Sequence, residues 1–171
     1  MKNATKFFAL AVVILGFSAN SFAQVSATAT ASATIIAPIS ISKTVDINFG
    51  NIAVGTTGGT VVLLPAGTRS ATGGVSLPSA IPGTVTAATF TVTGEGANTY
   101  SITLPSTYTI TKTGGSATMI VNTFTSNPPS SGTLTSGSQT LKVGATLTVN
   151  ASQVGGVYTN TTGFPVTVAY N

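Results

Sequence analysis

From Val25 to Ile36 the chain alternates strictly between small apolar and hydroxylated side chains. Val25, Ala27, Ala29, Ala31, Ala33 and Ile35 share one parity, and Ser26, Thr28, Thr30, Ser32 and Thr34 share the other. Successive side chains of a strand point to opposite faces, so a period of two predicts an extended strand and argues against a helix. Ala37-Pro38 closes the stretch, and proline separates it from the body of the chain.

Beyond Pro38 the same period continues in short pieces. Ile39 and Ile41 lead into Val45, Ile47 and Phe49, which Gly50-Asn51 ends. A glycine-rich turn at Gly55, Gly58 and Gly59 precedes Thr60 to Leu64, whose continuous apolar character predicts a strand covered on both faces. Pro65 and Gly67 stop it. Ser70 to Pro82 reads as loop with one short strand near Val75 to Leu77. Ala88, Phe90 and Val92 then alternate with threonines, Gly94-Glu95-Gly96 turns the chain, and Tyr100, Ile102 and Leu104 follow, which predicts a hairpin. Tyr108 and Ile110, a Gly114-Gly115 turn, and Met119 and Val121 come next. Ser126 to Gly137 is the most loop-like stretch. Leu141, Val143, Leu147 and Val149 alternate across Gly144, Gly155-Gly156 turns, and Phe164, Val166, Val168 and Tyr170 share the last face.

Many short strands at this spacing, with no convincing helix after Ala23, predict an all-β fold: an antiparallel β-sandwich of immunoglobulin-like type. An outer-membrane barrel would need longer alternating strands and aromatic girdles. This chain has no tryptophan and strands that read as too short.

Composition changes this picture first at the N-terminus. Lys2 and Lys6, an apolar run from Phe7 to Phe17 and the small residues of Ser21-Phe22-Ala23 have the layout of a secretory signal peptide at residues 1–23. The run is shorter than the roughly 20 residues of a spanning helix. Cleavage after Ala23 would make residues 24–37 a free N-terminal strand, the candidate donor strand, ahead of a sandwich domain at 38–171. It also implies export to the periplasm and then the surface of a Gram-negative cell. About 150 residues suit one domain with a real core. With no cysteine, that core holds without disulfides.

Charge then narrows the chemistry. Without the leader only Lys43, Arg69, Lys112 and Lys142 face Asp46 and Glu95. Dispersed cations do not make a phosphate-binding patch, so nucleic acid is not an expected partner. The absence of histidine and cysteine removes the usual general base, thiol nucleophile and soft-metal ligands. Asp46 and Glu95 would be the minimum pair for glycoside hydrolysis, and nothing in their placement predicts convergence. A Lys43 cross-link to Asp46 or Glu95 is not expected either. Nor is an ice-binding array at Thr28/Thr30, Thr89/Thr91/Thr93 and Thr109/Thr111/Thr113, because threonine suits the wet face of any strand. Neither enzyme activity nor a cofactor is expected.

The segments QVSATATASATIIAPISI (24–41), VDINFGNI (45–52), ATFTVTGEG (88–96), LKVGATLTV (141–149) and GGVYTNTTGFPVTVAYN (155–171) resemble a family of secreted bacterial domains, domain of unknown function 4402. The two ends also resemble chaperone–usher pilins. That second resemblance implies that Val25, Ala27, Ala29, Ala31, Ala33 and Ile35 form a donor strand, filling a gap in the next subunit. It also implies that the C-terminal strand Phe164, Val166, Val168 and Tyr170 pairs with a periplasmic chaperone before an usher exports the subunit. The missing disulfide and the position of Gly155-Gly156 depart from the pilin pattern. The function expected is therefore a structural subunit of a surface fibre, a homo-oligomer or an assembly with related subunits. The alternative is a self-contained adhesin that binds a ligand through loops 55–59 and 126–137.

Overall fold

Strands form in this chain wherever an alternating stretch finds a partner edge. The computed structural model describes residues 24–171, so the expected leader lies outside the described residues. The strands are β1 (Ser40–Val45), β2 (Asn48–Phe49), β3 (Ala53–Leu63), β4 (Arg69–Ser76), β5 (Val85–Thr86), β6 (Ala88–Thr93) and β7 (Thr99–Thr103). They continue with β8 (Thr107–Lys112), β9 (Thr118–Asn127), β10 (Ser131–Thr133), β11 (Ser138–Val149), β12 (Tyr158–Thr159) and β13 (Thr167–Tyr170). No helix occurs among the described residues. The fold is an all-β antiparallel sandwich.

One curled sheet of eight strands runs β1-β6-β11-β9-β8-β12, with β3 and β4 added beside β11. A three-stranded sheet, β10-β7-β13, and the small β2-β5 pair complete the fold. The spine is β11. One edge pairs with β9, while the other pairs with β6 through Ser138 to Val143 and with β3 through Ala145 to Val149. Its odd-numbered residues from Leu141 to Val149 are all buried and serve two cores. Leu141 and Val143 join Phe90, Val92, Tyr100 and Leu134. Ala145, Leu147 and Val149 join Val61, Leu63, Met119 and Val121.

Two local devices let a single strand do this. Gly144 lies where β6 and β3 meet along the same edge of β11. A Cβ there would strike the Leu63 carbonyl oxygen and come within 2.7 Å of the Leu64 carbonyl carbon. Opposite, β9 carries one extra residue between Asn122 and Thr125, with Thr123 at φ 47°. Such a bulge reverses the parity of a strand. Met119 and Val121 therefore point inward on one parity, and Phe124 packs against both cores on the other. Phe124 then meets Phe164 with ring centroids 4.9 Å apart, and Phe164 also lies edge-on to Phe90 and Tyr108. This aromatic cluster ties the C-terminal segment to the large sheet.

Several expected elements are corrected by the structure. Residues 88–93 and 99–103 are not a hairpin: β6 already has β1 and β11 on its two edges, so β7 starts the second sheet. The Gly94-Glu95-Gly96 turn crosses between layers, held by Gly94 N–H on the Gly137 carbonyl and Gly137 N–H on the Gly96 carbonyl. Gly55, Gly58 and Gly59 lie inside β3, around a bulge between Val54 and Gly59. In the stretch 70–82, expected as loop with a short strand near Val75 to Leu77, the strand is longer and starts earlier: β4 runs from Arg69 to Ser76, its polar, glycine-rich sequence recruited by the facing edge of β3. Thr60 to Leu64 is not covered on both faces, since Val61 and Leu63 are buried while Leu64 is exposed. The loop expected at 126–137 holds the end of β9, all of β10 and the buried Leu134.

Tyr100 is fully buried and donates to Gln139 Oε1 at 2.6 Å. Burial pushes its phenol above the usual tyrosine value. The unfolded chain therefore loses this proton first as pH rises past about 10, and stability falls through that window. Tyr100→Phe is expected to flatten the alkaline loss while costing the bond to Gln139. Denaturant midpoints measured on either side of pH ~10 check this.

Candidate functional site

The few acidic and basic side chains are the groups that would carry any chemistry. Lys43 Nζ pairs with Asp46 Oδ1 at 2.5 Å, and both side chains are exposed. Glu95 is exposed on the turn after β6 and accepts the Ala37 N–H at 3.3 Å. Arg69 is spent on structure: Nη1 donates to the carbonyls of Phe49 and Asn51, and Nη2 to that of Pro82. These contacts fasten the loops before β3 and β5 to the start of β4. Among the described residues no three His, Cys, Asp or Glu side chains group as metal ligands. The threonines of β6 line the outer face of the large sheet beside Ser40, Ser42, Ser138 and Thr140, and the Ser40 and Thr93 hydroxyls bond at 2.7 Å.

The apolar strand edges are the more distinctive feature. β13 pairs with β7 in a register that sets Thr167, Val168, Ala169 and Tyr170 opposite Thr103, Ile102, Ser101 and Tyr100. The Asn171 N–H continues this ladder to the Thr99 carbonyl. In an antiparallel pair, hydrogen-bonded and non-bonded positions alternate. Residues 167, 169 and 171 thus face β7, and the backbone groups of Val168 and Tyr170 face the other way. On that side β13 has no strand partner among the described residues.

The neighbouring edge across the sandwich is β1, which among the described residues pairs only with β6. The side chains along the seam between β1 and β13 belong to the Leu141–Tyr100 core but are only half-buried: Ile39 and Ile41 from one wall, Phe164, Val166 and Val168 from the other. Their parity follows the alternation at 164–170, so the structure brings all four C-terminal residues of the expected site to one place.

Residues 25–35 of that expectation are not part of the compact unit that holds the seam. Residues 24–39 are outside every strand, and Val25 and Ile35 are exposed. By compactness the chain divides after Ile35, and Ile36 to Asn171 contains every strand of the described residues.

Sequence reasoning missed the contact that holds the start of this second unit. The Tyr170 hydroxyl donates to the Ala37 carbonyl at 2.9 Å and accepts the Glu95 N–H at 2.6 Å. With the Glu95 carboxylate on the Ala37 N–H, both backbone polar groups of Ala37 are engaged. Gly94 makes room, because a Cβ there would collide with the Tyr170 hydroxyl. The adjacency of glycine and glutamate in the turn is visible in the sequence. The arrival of Tyr170, 75 positions later, is not.

With this geometry in view, one family matches: the domain of unknown function DUF4402 matches residues 39–170. The chain belongs to this family. No curated protein and no solved structure matches. The match covers every strand of the DUF4402 domain and begins just after the anchored Ala37. Among the described residues, no helix is long and apolar enough to cross a membrane.

Proposed function

We propose that this DUF4402 domain is an exported, non-enzymatic structural subunit of a cell-surface fibre, assembling by exchange of residues Val25–Ile36 between copies. The observation that carries the reading is the edge of β13 that has no strand partner among the described residues, beside a half-buried apolar row. A strand added to such an edge gains a ladder of backbone hydrogen bonds, and its alternate side chains enter the seam. Val25, Ala27, Ala29, Ala31, Ala33 and Ile35 supply the required period of two. A periplasmic chaperone covering the same edge before assembly, and an usher, complete the proposed pathway.

The donor is unequal along its length. Each alanine methyl contributes about 0.8 kcal/mol on burial, while Val25 and Ile35 contribute about 1.5–3 kcal/mol each. Ile35→Ser is therefore expected to weaken association by about tenfold or more, and Ala29→Ser by less than about fivefold. Sedimentation of purified chains at several concentrations reads both. The function itself is tested on an unheated SDS gel of the purified protein. A ladder of multimers that collapses on boiling supports strand exchange, and a single monomer band at every concentration overturns it.

A further inference from the structure

The strand-exchange reading leaves open why residues 25–36 would leave their own domain. A tethered segment competes for its own seam at an effective concentration in the millimolar range, unless its linker cannot make the connection. Self-closure would always win over a dilute second copy if the linker were permissive. The features around Ala37 make it the opposite.

Self-closure requires the chain to reverse just before β1, because β1 is one wall of the seam. Ile39 is already packed into the core, so the reversal falls on residues 36–38. Two-residue hairpin turns need positive φ at the first central position, and often at both. Neither Ala37 nor Pro38 has positive φ, and the bond between them is trans. Proline fixes its own φ near −65° and drives the preceding residue extended. It suits the second central position of a turn only as the cis isomer. Ala37 is also held through both backbone groups, by Glu95 and by Tyr170. Tyr170 is at the same time the last residue of β13, so the acceptor strand itself holds the root of the donor.

We propose that Tyr170, Glu95 and Gly94 form a clasp on Ala37 that denies residues 25–36 the reversal needed for self-closure and commits them to a second copy of this chain. The inference rests on the strand-exchange reading and assigns the contacts that keep the exchange between copies. Gly94 provides the space, Tyr170 the hydroxyl that bridges Ala37 and Glu95, and Pro38 the stiff linker.

The chain has no cysteine, so an engineered pair reports cleanly. Thr30→Cys with Ala169→Cys places thiols on the outward parity of donor and acceptor, away from the core. The full chain after Ala23 carrying this pair is oxidised at fixed concentration and run on a denaturing, non-reducing gel. A second series with Ser32→Cys in place of Thr30→Cys covers the neighbouring register. The expected product is a ladder of covalent multimers. Adding Tyr170→Phe should raise the internally bridged monomer relative to multimer by about fivefold or more, the scale of losing one hydrogen bond. Gly94→Ala, which displaces the hydroxyl, and Glu95→Ala, on an exposed turn, should shift the ratio in the same direction and guard against a Tyr170→Phe chain that does not fold.

An internally bridged monomer as the main product of the unmodified clasp overturns the proposal. An unchanged ratio in the folded clasp variants overturns it while leaving strand exchange standing. If neither series bridges at all, strand exchange fails and the clasp proposal fails with it.

Discussion

Deletion of residues 24–34 is expected to give a folded monomer that no longer assembles. Both cores are built from residues at or beyond Ile39, and the first strand begins at Ser40. The deleted residues are exposed and outside every strand, so their loss should change the unfolding free energy by less than about 0.5 kcal/mol, the range of ordinary surface changes. Assembly should behave in the opposite way. Without Val25 and the four alanines, a donor cannot run the length of the seam, and the backbone ladder that would pair with Val168 and Tyr170 is gone. Thermal melts and light scattering on the same samples separate the two effects. A truncated chain with an unchanged melt and undiminished multimers would sink the donor-strand idea, and a truncated chain that fails to fold would show that residues 24–34 serve their own domain instead.

The largest effect on stability is expected at Gly144. The obstacles to a Cβ at this position are backbone: the Leu63 carbonyl oxygen, the Leu64 carbonyl carbon at 2.7 Å and the Pro65 nitrogen at 2.8 Å. A side-chain obstacle can change rotamer, but these atoms yield only if β3 moves off β11. Leu63 pairs directly with Ala145, and both are buried, so the movement would open the Leu147 core at its edge. Overpacking a core costs about 1–3 kcal/mol, and Gly144→Ala should fall at or above the upper end. For a domain of this size that corresponds to a fall in melting temperature of about 6–12 °C. Gly55→Ala is the control, since nothing lies within 4 Å of its Cβ and its φ is not positive. It should be neutral or slightly stabilising by reducing the freedom of the unfolded chain. Comparable losses at the two glycines would refute the assignment of Gly144 as the junction.

Particular residues explain which parts of the fold are legible in the sequence. The parity of Leu141, Val143, Leu147 and Val149 predicts one buried face, and β11 has it without a break. The parity of Phe164, Val166, Val168 and Tyr170 is equally readable, and these residues share the seam. Glycines are less legible. Gly55, Gly58 and Gly59 predict a turn, yet β3 runs through them: Gly59 pairs with both β4 and β11, and Gly55 and Gly58 fall in the bulge before it. β4 has little apolar signal beyond the buried Val75, and most of its residues are recruited by pairing with β3. The switch from Val121 to Phe124 is a bulge written in the sequence as a change of parity, and only the register with β11 makes it interpretable.

Sequence alone determined the all-β class, the inward faces of β11 and of the C-terminal strand, the family resemblance, and an alternating N-terminal segment ahead of a proline. These follow from local geometry, because the period of side chains along a strand does not depend on what the strand pairs with. Tertiary structure alone decided which sheet receives each strand, why Gly144 and Thr123 take their conformations, and which edge has no strand partner among the described residues. It also decided that Tyr170 closes on Ala37 across 133 positions of sequence. Partner choice is a long-range competition between edges of similar local character, and no short window of sequence records its outcome.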